Sequence, residues 1–303
     1  MSKVIVHIDL NAFFVRCEEI KNPSLEGKPV IIGRTGRGGI VSTCSYAARE
    51  KGVKSGMPTY QALLKCKNAI IIGDDFEFYH KKSNEFFNFV KNVTTTIEPA
   101  SVDECYADFT DVLKNKKEPI SYLREFQKNL YKETGLKCSI GVAPTKFLAK
   151  MASDMKKPLG LVVIHKRNAR EMLAPLPIED FFGIGKKTSP KLKEIGINTI
   201  GDLIRNIDNE DFTTKKILGK FYFVIKDWVN GKGSDEINTE PFDPKSIGHS
   251  TTLLSDAVSF EELEKPLEEL SKRVSENAKS RNKVGKSIQL ILKDNEFKVI
   301  NRS

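Results

Sequence analysis

At 303 residues the chain exceeds what one hydrophobic core usually organises, so two or more domains are expected. With 39% hydrophobic and 29% charged residues it is not a disordered polymer, no apolar run is long enough to span a bilayer, and Met1-Ser2-Lys3-Val4 lacks the layout of a secretory signal; a cytoplasmic protein without a membrane partner is expected. The net charge of +9 points to a polyanionic partner, and the five widely spaced cysteines (Cys17, Cys44, Cys66, Cys105 and Cys138), with no Cys-x-x-Cys among them, read as reduced structural thiols.

Residues 3–10 read as a strand and Ala12 to Ile20 as a short helix. A second strand is expected over Lys28 to Gly33, then a glycine- and arginine-rich loop (residues 34–39) and a third apolar run, Ile40 to Thr43. Tyr46 to Lys51 looks helical, and Gly52 to Pro58 is a turn. Residues 78–95 carry Phe78, Phe86, Phe87, Phe89 and Val90 at helical spacing, followed by a hairpin from Ile97 to Phe109, a helix near 119–134, a strand over Lys137 to Ala143 and a helix after Pro144. The order β-α…α-β-β-α-β is that of a ferredoxin-like sheet interrupted by a lobe inserted at about residues 20–77. From His165 to about Gly233 every expected element is helical, and Asn238 to Pro244 reads as a polar, proline-containing linker. A final segment offers a strand at 245–253, a charged amphipathic helix at about 259–281 and a strand from Ser287 to Leu292. From Ser271 onward nine lysines and arginines face three acidic residues, an excess that suggests a nucleic-acid face, although a merely solvated helix is the more ordinary reading of this feature alone.

Two stretches place acidic residues where a buried strand is expected: Val4 to Leu10, which contains Asp9, and Ser101 to Asp108, which contains Asp103 and Glu104. An ionised carboxylate there is costly unless a cation meets it, and divalent metal is the usual remedy when several converge. In a regular strand Asp103 and Glu104 point to opposite faces, so both reach one site only from a turn or bulge, which Pro99 just upstream favours. With Asp9 on an adjacent strand, the cluster suits two metal ions roughly 3.5–4 Å apart and phosphoryl transfer. An isolated Asp-Glu pair most often marks an exposed turn; this one has company. Tyr46 and Arg49 share a helix face, Arg49 offers bidentate geometry to phosphate oxygens, and Lys157 adds a point charge from elsewhere in the chain.

The strings His7-Ile8-Asp9-Leu10-Asn11-Ala12-Phe13-Phe14, Asn22-Pro23-Ser24-Leu25, Thr43-Cys44-Ser45-Tyr46-Ala47-Ala48-Arg49, Gly52-Val53-Lys54-Ser55-Gly56-Met57-Pro58, Ser101-Val102-Asp103-Glu104-Cys105-Tyr106 and Lys146-Phe147-Leu148-Ala149-Lys150 resemble, in order and spacing, the Y-family lesion-bypass DNA polymerases, nearest the DNA polymerase IV branch. The resemblance implies an α+β, multidomain right-hand fold. It divides into a ferredoxin-like palm (1–19 and 78–165), fingers (20–77), a helix-hairpin-helix thumb (166–233), a linker (234–244) and a little finger (245–303). It implies that Asp9, Asp103, Glu104 and the backbone carbonyl of Leu10 hold two Mg²⁺ ions, with Mn²⁺ as a substitute. Phe13, Thr43, Tyr46, Arg49 and Lys157 match triphosphate contacts, and Phe14 matches the steric gate that excludes a ribose 2′-hydroxyl. Ile40, Ser42 and Gly56 match the roof over the templating base, where small residues imply low fidelity and lesion bypass. Gly183, Gly185, Lys186 and Lys187 match a hairpin whose backbone N–H groups meet a DNA phosphate without reading sequence. The implied partners are primer-template DNA and dNTPs, bound by a monomer without proofreading, and a sliding clamp in a full-length form.

One departure stands out. The little finger should follow a β-α-β-β-α-β pattern, and Val299 to Ser303 reads as only its third strand, leaving a partial sheet with an open edge and fewer phosphate contacts. Catalysis should survive, since its residues precede 160. Two rival readings rank below the polymerase: a palm-fold nucleotide cyclase, which has no need of Gly183-Ile184-Gly185, and a non-catalytic DNA-binding homologue, which has no need of intact carboxylates.

Overall fold

The computed structural model describes residues 3–240 and 243–303; Met1, Ser2 and the linker residues Pro241 and Phe242 lie outside the described residues. By backbone contacts the chain forms two units, one of residues up to 34 with 41–240, the other of 35–40 with the C-terminal residues. Residues 35–40, expected in the inserted lobe, thus group with the C-terminal unit, where Arg37 pairs with Asp256.

In the first unit, β1 (Ile5–Leu10) is buried along its whole length and leads into α1 (Phe13–Lys21). The inserted lobe follows: β2 (Val30–Gly33), β3 (Val41–Cys44), α2 (Tyr46–Glu50), α3 (Thr59–Lys65) and β4 (Ile70–Ile72), with sheet order β3-β2-β4. Neither α3 nor β4 was foreseen. β4 is three residues long, and it is a strand because it pairs in parallel with β2. After α4 (Phe76–Lys91) come β5 (Ile97–Pro99), β6 (Glu104–Asp108), α5 (Thr110–Lys114), α6 (Pro119–Thr134), β7 (Cys138–Ala143), α7 (Lys146–Met155) and β8 (Leu161–Val163). The central sheet runs β5-β6-β1-β7-β8, the expected ferredoxin-like order extended by an unforeseen edge strand, β8, parallel to β7.

Strand parity sorts the side chains of this sheet. Val6, Ile8 and Leu10 join Cys105, Ala107 and the apolar faces of α4 and α6 in one core. His7 and Asp9 therefore face the other side, toward α7, and the register sets them opposite Tyr106 and Glu104. Helix α7 lies almost directly on β7: a methyl group at Gly141 would come within 2.0 Å of the Ala149 carbonyl oxygen and 2.4 Å of the Ser153 nitrogen.

The thumb segment is helical as expected, with α8 (Ala169–Leu173), α9 (Ser189–Glu194), α10 (Ile200–Asp208), α11 (Phe212–Leu218) and α12 (Phe221–Val229). It shares a core with α7 through Phe147, which stacks on Trp228 at 4.5 Å between ring centroids.

In the second unit, α13 (Glu261–Ser280) and the antiparallel pair β9 (Leu290–Lys293) and β10 (Val299–Arg302) form, with every residue of both strands exposed. The strand expected at 245–253 is irregular, and Ser287 to Gln289 stay outside β9. A strand requires a partner ladder, and among the described residues β9 and β10 pair only with each other.

The contact at Gly141 yields a test. Gly141→Ala must push α7 off β7, so it should destabilise the fold by about 1–3 kcal/mol or more in thermal or urea unfolding; an unchanged midpoint would show that the helix yields at no cost.

Candidate active site

Asp9 is the penultimate residue of β1 and is 7% exposed; Glu104 begins β6 directly opposite. Asp103 arrives from the turn before β6, which the Leu10 N–H pins by donating to the Asp103 carbonyl at 2.9 Å and the Ser83 hydroxyl by donating to the Val102 carbonyl at 2.6 Å. The turn lets neighbouring residues 103 and 104 serve one site, as the sequence required. Ser101 Oγ donates to the Asp103 carboxylate.

Two ammonium groups hold the cluster together. Lys150 Nζ, from α7, lies 3.0 Å from Asp9 Oδ2 and 2.7 Å from Glu104 Oε2. Lys157 Nζ lies 2.6 Å from Asp9 Oδ2 and 2.8 Å from Asp154 Oδ1. Beneath them the fully buried His7 places Nε2 3.4 Å from Glu104 Oε2 and Nδ1 2.8 Å from Ser153 Oγ. Burial pushes the Asp103 carboxyl above the usual carboxylate range, and the charges of Asp9 and Glu104 add to the effect. Burial acts the same way on Glu104, but the neighbouring His7 imidazole and the hydrogen-bonded Lys150 ammonium outweigh it and hold that carboxyl well below its usual range. Burial disfavours the charged form of Lys150, yet the carboxylates around it raise its affinity for the proton.

Against the carboxylates opens a cavity of about 160 Å³ lined by Asp9, Leu10, Ala12, Phe13, Thr43, Tyr46, Arg49, Asp103 and Lys157. Its other wall is built to receive an anion. Ala12, with φ +46°, turns the chain sharply into α1 and gives the helix no side-chain cap, so the first-turn N–H groups at Phe13 face an anion-favouring helix end. The Arg49 guanidinium lies 4.9 Å from the centre of the Tyr46 ring and donates through Nε to the Cys44 carbonyl at 3.1 Å, leaving its other nitrogens available. The Tyr46 hydroxyl is buried without a hydrogen-bond partner, and burial raises its pKa. An orphaned buried donor facing a cationic wall fits a phosphate oxygen. The carboxylate wall offers only oxygen donors at its mouth, a set that suits a hard divalent cation.

The structure thus brings together Asp9, Leu10, Phe13, Thr43, Tyr46, Arg49, Asp103 and Lys157, with Glu104 beside them through Lys150. Phe14 lies outside that lining, stacked on Tyr79 at 4.3 Å and 12° with Phe76 edge-on. Ser42 and Gly56 are exposed in the inserted lobe, the Gly56 N–H donating to the Val41 carbonyl at 2.8 Å, while Ile40, 45% exposed, groups with the other unit. In the thumb, Gly183 has φ +95° and packs against Phe221, whose ring a methyl group there would meet at 2.5 Å. The Gly185 carbonyl accepts the N–H groups of Thr188 and Ser189 at the start of α9, and Lys186 and Lys187 are exposed beside it. Sequence reasoning assigned no role to Lys150, His7, Ser153 or Asn11. Parity alone could have found His7, two residues before Asp9 on the same strand face.

Comparison with known proteins follows this geometry. Residues 8–154 match the impB/mucB/samB family, 166–197 the IMS family HHH motif, and 244–303 the impB/mucB/samB family C-terminal domain. The chain is 39% identical over 304 residues to a DNA polymerase IV of Bacillus velezensis, an alignment covering 99% of this chain and 72% of the relative. To a DNA polymerase IV 1 of Bacillus subtilis it is 38% identical over 310 residues, covering 100% and 73%. Among solved structures it resembles a Y-family DNA polymerase chimera, Dbh-Dpo4(243-245)-Dbh (TM-score 0.84, 28% identity, 99% of this chain and 86% of that one), and DinB from Sulfolobus solfataricus (TM-score 0.73, 28% identity, 99% and 86%). The paired acids at the β1–β6 junction, the anion-receiving wall across from them and the hairpin motif in the thumb are all explained together: the chain belongs to the impB/mucB/samB family, the Y-family of DNA polymerases, on its DNA polymerase IV branch.

Proposed function

We propose that this chain extends a primer 3′-hydroxyl with dNTPs on a DNA template by phosphoryl transfer at Asp9, Asp103 and Glu104, with low fidelity, bypass of lesions and no proofreading. The observation that carries the reading is the cavity itself, in which a carboxylate wall faces an orphaned hydroxyl, a guanidinium, an ammonium and an uncapped helix end. Mg²⁺, or Mn²⁺ in its place, held by Asp9, Asp103, Glu104 and the Leu10 carbonyl, would neutralise phosphate charge and activate the attacking hydroxyl. The chain's own residues do the rest. Arg49 offers two parallel N–H donors to phosphate oxygens, Lys157 a point charge, Tyr46 and Thr43 hydroxyls, and Phe13 its backbone N–H. These groups orient the triphosphate and draw charge away from the bond that breaks.

Phe14 selects the sugar by exclusion. Its ring is stacked on Tyr79, a contact that supports reading it as a wall against a 2′-hydroxyl. Small, exposed Ser42 and Gly56 leave the templating base loosely enclosed, and Ile40 narrows that tolerance. The glycines and lysines at 183–187 hold the duplex by its backbone, and the protein works as a monomer.

Extension of a labelled primer with Mg²⁺ and dNTPs should fall by about 10³-fold or more in Asp103→Ala/Glu104→Ala. Retained extension in that variant would move the chemistry elsewhere. Asp103→Asn should be inactive yet melt at a higher temperature than wild type at neutral pH in chelator. The raised Asp103 pKa means the folded state loses stability as pH rises through it, and the amide removes that cost; the gain should vanish at low pH, where Asp103 is protonated. Phe14→Ala should incorporate ribonucleotides far more readily than wild type, measured as the rNTP/dNTP ratio of kcat/KM; unchanged discrimination would take Phe14 out of the sugar site.

A further inference from the structure

Asn11 lies two residues beyond Asp9, just past the end of β1, and is 5% exposed. Both ends of its side-chain amide are used: Nδ2 donates to Ser139 Oγ at 2.9 Å, and Oδ1 accepts the Leu159 N–H at 2.8 Å. Ser139, fully buried on β7, also accepts the Gly160 N–H at 3.3 Å. The Gly160 carbonyl in turn accepts the Ile140 N–H at 2.8 Å.

These bonds seat the turn that joins α7 to β8, and the turn would not hold this shape by itself. Leu159 sits at φ +60°, a conformation that leucine disfavours, and it is 49% exposed; its carbonyl accepts from Arg124 at 3.0 Å, while its N–H is held by Asn11. Gly160 has no room for a side chain, since a methyl group would lie 1.9 Å from the Lys156 carbonyl oxygen. Lys157 opens this turn, and its Nζ reaches Asp9 Oδ2. The position of that ammonium depends on the backbone beneath it, which Asn11 holds from the strand that also carries Asp9.

We infer that Asn11 is a positioning residue for nucleotide binding: by accepting the Leu159 N–H it fixes the turn carrying Lys157, so that the carboxylate Asp9 and the triphosphate cation belong to one rigid frame. The inference rests on the reading of Lys157 as a triphosphate contact. An apolar residue at position 11 leaves the Leu159 N–H without its acceptor, and the strained turn is then free to relax. An aspartate keeps that acceptor, and its second oxygen accepts a hydrogen bond from the Ser139 hydroxyl in place of the amide donor.

Single-nucleotide insertion on a saturating primer-template, measured for Asn11→Ala, Lys157→Ala, the double variant and Asn11→Asp, tests this. Asn11→Ala should raise the KM for dNTP about tenfold, the worth of one buried hydrogen bond, with little change in kcat or primer-template affinity. Lys157→Ala should raise KM as well, the double variant should be no worse than Lys157→Ala alone, and Asn11→Asp should recover most of the loss. An unchanged KM in Asn11→Ala, or effects that multiply in the double variant, would overturn the inference. An unchanged KM in Lys157→Ala would instead overturn the reading of Lys157, and this inference with it. Should Asn11→Ala melt below the assay temperature, Ser139→Ala enters the same cycle, with a smaller rise in KM expected and an unchanged KM again counting against the inference.

Discussion

Carboxylates gathered at one end of a sheet repel one another, and the rest of the first unit is arranged around that repulsion. Asp9 and Glu104 are brought side by side by register, and Asp103 is turned in from the connecting loop. Lys150 bridges the first two, Lys157 meets the same Oδ2 of Asp9, and His7 supports Glu104 from below. The two partners are not equivalent. Glu104 has its compensation inside the protein and is held ionised, whereas the partly buried Asp103 has too little and its carboxyl is pushed above the usual range. A site in which one acid is satisfied and its neighbour is not has a standing demand for a further cation, and that demand is what a metal-dependent transferase needs.

The scaffold meets the demand by making close contacts where they control position. Gly141 lets α7 settle onto β7, which sets the depth at which Lys150 enters the cluster. Asn11 ties the Lys157 turn to the end of β1. The Ser83 hydroxyl and the Leu10 N–H hold the Asp103 turn from two sides. Each bond lies just behind a charged group and removes freedom that the group would otherwise lose on binding substrate. The opposite wall uses a cheaper device, a helix end left uncapped by Ala12 and a tyrosine hydroxyl left unpaired, both of which become satisfied only when an anion arrives.

The C-terminal unit shows the other extreme. Helix α13 buries no residue, and β9 and β10 are exposed throughout, with Ile291, Val299 and Ile300 each more than half exposed. The hairpin exists because its two strands satisfy each other's backbone in antiparallel register. The segment at 245–253 is longer than either strand but has no partner strand among the described residues, so it remains irregular.

Much was legible in the linear chain because it depends on local chemistry. Alternation and helical spacing outlined β1, β7, α4 and α6 to within a few residues, and the alternating order of strands and helices implied the sheet. The residue types of Asp9, Asp103, Glu104, Tyr46, Arg49 and Lys157 named the kind of chemistry before any of them was placed. The short elements β4 and β8 escaped because three residues carry no period of their own and become strands only through a neighbour's register. Lys150, His7 and Asn11 escaped for a related reason: a lysine on a helix, a histidine in a strand and an asparagine after one have many uses, and the use here depends on which side chain arrives from across the fold. The sequence by itself determined which groups could carry charge and which faces had to be buried, since those follow from residue type and period. Only the tertiary structure decided which charges meet, because a salt bridge between positions 9 and 150, or a hydrogen bond between 11 and 159, is a fact of packing that no local pattern contains.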